Sequence, residues 1–305
     1  RTVATLLPTL DRSYPEWGVW PAIVALLTLV WVEVASPIAD EPAVLAGVIA
    51  AYTVVTLAGA VVFGPEAWFA RADPVSRGFD HYGDVAPLQR TDDGIAARLP
   101  GAALSDLSVS NRSEVAFVVA LLWVTTFDGF VATPAWASIA DAVTPAVPLL
   151  VLYPLALLVG FALFLGAFYG AAHLSRDTAD TYLTTATLAR QFAPSLLAIA
   201  AGYHVAHYLG YFFSLLPALA AVAVAPLDPP ATVTLLVLPN WFEMVGMGAI
   251  LLGHLLAIWV AHGTAYDIFP GRLQAIRSQY PFIAVMVFYT MTSLWIIAQP
   301  EVTPP

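Results

Sequence analysis

The chain contains no cysteine and no lysine among its 305 residues. The absence of cysteine excludes disulfides, iron–sulfur clusters, thiolate zinc sites, cysteine nucleophiles and c-type haem attachment. All eleven basic residues are arginine, whereas 21 residues are acidic, which gives a formal net charge of −10. This acidic balance argues against a nucleic-acid partner. It also predicts a halophilic archaeal source, because excess acidic charge keeps protein surfaces hydrated in a very salty cytoplasm.

Charge of either sign is scarce in this sequence. Charged residues make up 10% of the chain and hydrophobic residues 60%, whereas a soluble domain carries about 25% charged residues. The chain therefore lacks the polar surface that a soluble protein needs. Its apolar runs are long and continuous, which favours membrane-spanning helices over a closed β-barrel. The composition predicts an all-α integral membrane protein of the cell membrane, in contact with the lipid bilayer.

Seven apolar stretches are long enough to cross a bilayer, since a spanning helix needs roughly 20 residues. They are residues 17–35, 43–63, 114–133, 147–172, 194–218, 241–261 and 282–298. We therefore expect a single transmembrane domain, residues 1–305, built as a bundle of about seven helices.

The arginines predict the orientation of this bundle. All eleven lie before the first span or in the connections that follow spans two, four and six. Because basic residues accumulate on the cytoplasmic side, the N-terminus is predicted inside and the C-terminus outside. The long connection, residues 64–113, is then a cytoplasmic loop at the membrane interface. Its first part interleaves aromatic residues with arginine, which fits an interfacial helix or a solvated loop.

Ionisable residues inside the spans are the candidate functional residues. His204 and His207 share one broad face of span five, His254 lies in span six, and Asp128 lies in span three. Such groups are costly in lipid unless they are paired or bind a metal. Three imidazoles with Asp128 predict a site for copper, zinc or iron. Histidines on facing helices, with His262 as a further candidate, could instead bind a b-type haem. Interhelical hydrogen bonds are the simpler alternative.

Several short motifs give the chain a family resemblance. It resembles a family of bacterial and archaeal multi-span membrane proteins that are often labelled "fenitrothion hydrolase". The motifs are Trp31-Val32-Glu33, Phe63-Gly64-Pro65-Glu66-Ala67-Trp68, Phe127-Asp128-Gly129-Phe130, Leu188-Ala189-Arg190-Gln191-Phe192, Ala206-His207-Tyr208, Gly253-His254, Ala261-His262, Gln279-Tyr280 and Ala284-Val285-Met286-Val287. The resemblance implies hydrolysis of an organophosphate ester by a metal-activated water. It extends to Asp128, His207, His254 and His262 but implies no catalytic residue.

Three functions follow as hypotheses. The first is a membrane subunit whose intramembrane His/carboxylate site binds a metal ion or haem b, within a redox complex that contains other membrane or peripheral subunits. The second is a membrane metallohydrolase of organophosphate esters. The third is a transporter or proton relay that uses the same residues. The sequence contains no P-loop and no Gly-x-Ser-x-Gly motif, so the catalytic residues, if any, are unknown.

Overall fold

The computed structural model describes residues 4–10, 12–36, 38, 41–91, 94–228, 230, 232–300 and 302–303. Within these residues the fold is all-α apart from one antiparallel hairpin of two short strands. The elements are α1 (Trp20–Ala35), α2 (Pro42–Phe63), α3 (Pro65–Arg71), α4 (Pro74–Val85), β1 (Leu88–Thr91), β2 (Gly94–Ala97), α5 (Arg112–Val131), α6 (Pro134–Val143), α7 (Leu149–Thr178), α8 (Thr185–Val224), α9 (Phe242–Ile268) and α10 (Arg272–Ile297). Short 3-10 turns lie at Ala4–Leu6 and Ala102–Ser105.

Six of these helices are long and apolar enough to cross a membrane, namely α2, α5, α7, α8, α9 and α10. They coincide with six of the seven predicted spans. The seventh, α1, is apolar but has 16 residues, which is about 24 Å of helix against a hydrocarbon core of about 30 Å. The predicted span begins at Trp17, whereas α1 begins at Trp20. Gly18, which lies between them, has a left-handed φ of +59°.

Helix α5 lies at the centre of the bundle. Fifteen of its 20 residues are buried, and it packs against α1, α7, α8 and α10. A helix that is hydrophobic on every side is expected in such a position. The central position of α5 brings Asp128, close to its end, into contact with neighbouring helices.

Helices α8 and α9 form the closest pair. A Cβ atom on Gly202 would lie 2.5 Å from the carbonyl oxygen of Ala249, and one on Gly253 would lie 2.5 Å from that of Ala198. Glycines at both positions therefore let the two backbones touch. Helix α8 has 40 residues, far more than the predicted span of 194–218, because it extends beyond the apolar run at both ends.

The first part of the connection between α2 and α5 is helical, which agrees with the helix and not with the solvated loop among the two predicted forms. Asp73 caps the start of helix α4: its carboxylate accepts the backbone N–H of Ser76 at 2.6 Å and the hydroxyl of Tyr52 from α2. The helix then packs against α1 and α8. Its Arg77 guanidinium lies 5.3 Å from the Phe117 ring centre on α5. This segment is therefore a helical layer against the bundle.

Candidate functional site

The closest ionisable pair within the bundle joins α5 to α8. Nε2 of His207 lies 2.6 Å from Oδ2 of Asp128, and the two side chains are 25% and 22% exposed. A carboxylate oxygen can only accept, so Nε2–H is the donor when Asp128 is ionised. The distance is at the short end of charge-assisted hydrogen bonds. The sequence predicted both residues for the site, and the structure brings them together.

Gly129 allows α5 and α8 to approach at the level of this pair. A Cβ atom on Gly129 would lie 3.1 Å from the Tyr203 hydroxyl and 2.9 Å from Cγ2 of Ile296. A larger residue would have to displace the Tyr203 hydroxyl, about one turn before His207 on α8, and the Ile296 side chain of α10. Gly129 therefore leaves room for the Tyr203 side chain beside the Asp128–His207 pair.

A second carboxylate, which the sequence analysis did not assign to the site, lies near the pair. Glu33 on α1 is within electrostatic reach of both Asp128 and His207. Its depth follows from the hydrogen bond between the backbone N–H of Val19 and Oγ of Ser113, at 3.0 Å. Glu33 is 14 residues beyond Val19 and Asp128 is 15 beyond Ser113, about 21–23 Å along each helix. The signal that could have identified Glu33 is its place as an ionisable residue inside the first predicted span, residues 17–35.

Aromatic rings surround the imidazole of His207. The Tyr208 ring centre lies 4.8 Å from it in an edge-on arrangement, and that of Tyr211 lies 5.9 Å away. The phenol groups place polar atoms in an otherwise apolar region, so each ring is both a packing surface and a source of hydrogen bonds.

His204 has a partner outside the spanning helices. Its Nδ1 lies 2.8 Å from the Tyr82 hydroxyl of α4 and 2.9 Å from the Ala200 carbonyl oxygen. The Tyr208 ring centre is 5.7 Å from the His204 ring centre. His204 therefore links the α4 layer to α8.

His254 is the most isolated of the predicted site histidines. The residue as a whole is 8% exposed, and Nδ1 of its ring lies 2.8 Å from the Ile250 carbonyl oxygen. Because a carbonyl only accepts, Nδ1 carries the proton and the neutral ring has a lone pair at Nε2. That Nε2 atom is buried and has no hydrogen-bond partner among the described residues. A buried polar atom of this kind calls for an explanation.

His262 makes an interhelical hydrogen bond, which is the simpler alternative to binding a cofactor. Its Nδ1 lies 3.0 Å from Oε1 of Gln279 on α10, and the Gln279 amide nitrogen donates to the Ala275 carbonyl oxygen at 2.9 Å. The contact is an interhelical hydrogen bond between α9 and α10, with both partners satisfied.

The predicted metal ligands do not converge in the described part of the chain. No group of three or more His, Asp or Glu side chains there is arranged to hold a metal ion. Asp128 and His207 form a pair. His204 is within electrostatic reach of both residues but hydrogen-bonds Tyr82 and Ala200 instead, and His254 hydrogen-bonds a carbonyl oxygen of its own helix. The structure supports the pair as the core of the candidate site, and metal or haem binding stays a prediction.

His81 on α4, to which the sequence analysis gave no role, should make stability depend on pH. His81 is 8% exposed. Its burial, together with the charge of Arg77, lowers the pKa of the imidazole to about 4. An unfolded chain binds this proton near pH 6.5, so the free energy of unfolding falls as pH drops from 6.5 towards 4, by about 3 kcal/mol. We expect His81→Gln to lose less thermal stability than the wild type between pH 7 and pH 4.5 in detergent. Equal losses would contradict this prediction.

Comparison of the chain with protein-family models, with curated proteins and with solved structures gives no match.

Proposed function

We propose that this multi-pass membrane protein moves protons within the bilayer, with Asp128 and His207 as its protonation site. The observation that carries the proposal is the 2.6 Å contact between the two side chains on neighbouring apolar helices. Carboxyl and imidazole groups ordinarily titrate near pH 4 and 6.5, and imidazole is the group that changes charge around neutral pH. Ionisable residues inside a spanning bundle are typical of proton relays and proton-coupled transporters.

The chemistry follows from the charges of the pair. With Asp128 ionised and His207 protonated on both nitrogens, the pair is neutral overall, which lowers its cost in lipid. Loss of one proton from the imidazole leaves a single negative charge, and Glu33 on α1 is close enough to sense it. A proton taken up at Nδ1 of His207 can therefore be balanced by transfer of the Nε2 proton to Oδ2 and its release from the Asp128 carboxyl group.

Proton flux into proteoliposomes tests the proposal. Purified protein is reconstituted with a pH-sensitive dye inside, and a potassium diffusion potential drives protons inwards. We expect faster acidification than in protein-free vesicles, increasing with the imposed potential. Flux equal to that of protein-free vesicles at every potential would exclude a proton pathway. A substrate-coupled transporter would instead show proton flux only when its substrate is present.

We further infer seven spans, including the short α1, with the N-terminus inside and the C-terminus outside. The support is that every arginine lies on one side of an alternating seven-span arrangement. Single cysteines can be introduced without background because the chain has none. In right-side-out vesicles, Leu99→Cys and Tyr182→Cys should resist a membrane-impermeant thiol reagent, whereas Leu227→Cys should react. All three side chains are highly exposed. External labelling at Leu99→Cys would refute the orientation.

A bound cofactor is a second candidate function, favoured by the unpartnered Nε2 of His254. The lone pair of Nε2 would hold a transition metal or haem b, since metal-bound histidines commonly donate their other ring N–H to a carbonyl oxygen. Such a cofactor would supply the redox activity of a membrane complex, or the activated water that organophosphate hydrolysis needs. These roles rest on the sequence and its family resemblance.

The absorption spectrum and metal content of the purified protein test this second candidate. We expect a haem absorbance band or about one equivalent of copper, zinc or iron per chain, lost in His254→Ala. His262→Ala is the matched control on the same helix, because His262 already has a hydrogen-bond partner. Absence of both signals from the wild type would leave the proton pathway as the proposed function.

A further inference from the structure

A polar cleft lies where the chain enters α1 and α5. Its volume is about 580 Å³, and its lining includes Tyr14, Trp17, Trp20, Arg71 and Arg112. These residues come from three separate segments: the stretch before α1, the end of α3 and the start of α5. The cleft is far from the Asp128–His207 pair, because the Val19–Ser113 contact beside it is about 21 Å or more along α1 and α5 from Glu33 and Asp128.

The cleft has groups suited to an anion. The Arg71 guanidinium lies 5.5 Å from the Tyr14 ring centre, and Arg112 is the first residue of α5, at the positive end of the helix dipole. The Tyr14 hydroxyl oxygen is buried and has no hydrogen-bond partner among the described residues. Burial raises the pKa of Tyr14, so its O–H remains available as a donor.

One of the two carboxylates in the cleft already has partners. Glu114 accepts the backbone N–H of Ser110 at 2.7 Å and lies 3.6 Å from the Arg77 guanidinium. The other, Glu16, lies where the cleft meets a second cavity. With Glu114 paired to Arg77, the cleft lining sets two arginines, Arg71 and Arg112, against one carboxylate, Glu16, which is an excess of one positive charge.

An apolar groove continues from this cleft. It has a volume of about 660 Å³, shares Glu16, Trp17 and Trp20 with the cleft, and extends along α1 past Pro21 and Val24. Residues at these spacings lie on one face of a helix, and Val24 on that face is 63% exposed. The polar cleft thus adjoins an open, mostly apolar surface that follows helix α1.

We propose that the cleft and groove together bind one anionic phospholipid of the surrounding membrane, with its phosphate at Arg71 and Arg112 and an acyl chain along α1. A free phosphate would use only the polar part and leave the groove unexplained. Tryptophans such as Trp17 and Trp20 are typical of the level where head groups meet acyl chains. The paired charge and apolar surface match an anionic lipid better than a zwitterionic one, whose own ammonium group would oppose the arginines.

Native mass spectrometry of the full-length protein in detergent tests the proposal. The probes are phosphatidylglycerol, phosphatidylcholine with the same acyl chains, and inorganic phosphate. We expect preferential binding of one phosphatidylglycerol, weakened about thirtyfold in the double variant Arg71→Gln/Arg112→Gln, because each arginine near an anionic surface contributes about fivefold. The double variant Arg272→Gln/Arg277→Gln, which removes two exposed arginines elsewhere, is the charge-matched control.

A second variant separates a lipid from a simple anion. Val24→Trp fills the groove without touching the arginines, so it should weaken phosphatidylglycerol binding and leave any phosphate binding unchanged. Equal binding of phosphate and phosphatidylglycerol would replace the lipid site with an anion site and overturn the proposal. Equal binding of both lipids, or equal losses in Arg272→Gln/Arg277→Gln and Arg71→Gln/Arg112→Gln, would also overturn it. Folding of each variant is checked by its thermal unfolding midpoint.

Discussion

Asp128→Asn is expected to lower proton flux in proteoliposomes by about a hundredfold, the usual contribution of one general acid or base to proton transfer. Asparagine has nearly the same shape and can still accept the Nε2–H of His207, but its amide neither takes up nor releases a proton in the accessible pH range. His207→Gln should have a similar effect, since it removes the other protonatable group of the pair. The double variant should be no worse than either single one, because the two groups act as a unit.

The matched control for these variants is the surface pair of His173 and Asp177. Nε2 of His173 lies 4.0 Å from the Asp177 carboxylate, and both side chains are more than half exposed. Asp177→Asn and His173→Gln make the same chemical changes outside the site, so flux should stay at the wild-type level. Similar losses at both pairs would indicate a general effect of charge and contradict a specific role for Asp128 and His207. Unchanged flux in Asp128→Asn would contradict the role of the pair directly.

Gly202→Leu and Gly253→Leu should give the largest losses of stability. At each position even the Cβ atom would lie 2.5 Å from a backbone carbonyl oxygen of the facing helix. Backbone atoms cannot move aside as a flexible side chain can, so α8 and α9 would have to separate. Overpacking of a well-packed core costs about 1–3 kcal/mol and occasionally more, and we expect the upper end of this range here. The free energy of unfolding in mixed detergent micelles measures it.

Two other glycines on the same helices provide controls. A Cβ atom on Gly210 of α8 or Gly248 of α9 would meet nothing within 4 Å. Gly210→Leu and Gly248→Leu therefore add the same side chain without a clash, and should be neutral or slightly stabilising because glycine is a poor helix former. Equal losses at clashing and open positions would contradict the close backbone approach of α8 and α9.

The spanning helices could be predicted because their signal is local. A long apolar run predicts a helix in lipid whatever it packs against, and six predicted spans coincide with long apolar helices. The ends could not be predicted as well, since the polar first turns of α8 are helical without being apolar. The packing of α4 was also inaccessible, because it depends on contacts such as Arg77 with Phe117 and Glu114 between distant parts of the chain.

Two members of the candidate site, Asp128 and His207, were predicted from the sequence, whereas Glu33 and the pairing of the side chains were not. The cost of ionisable groups in lipid pointed to Asp128 and His207, but helix spacing fixes only which residues share a face. Which partner each histidine meets depends on how the helices rotate and cross. His204 contacts Tyr82 of α4 rather than Asp128, and the Nδ1 of His254 contacts its own helix. Neither of these two contacts can be deduced from the spacing of residues in the sequence.

The length of α8 allows one helix to make two widely separated contacts. Its Arg190 donates to the carbonyl oxygen of Ser110 at 2.8 Å, while His207, about 25 Å further along the same helix, holds Asp128. Between these two attachments, Gly202 lies against the backbone of α9. A single helix therefore spans the distance from the segment before α5 to the Asp128–His207 pair near the end of α5, so that α8 is attached to both ends of the central helix.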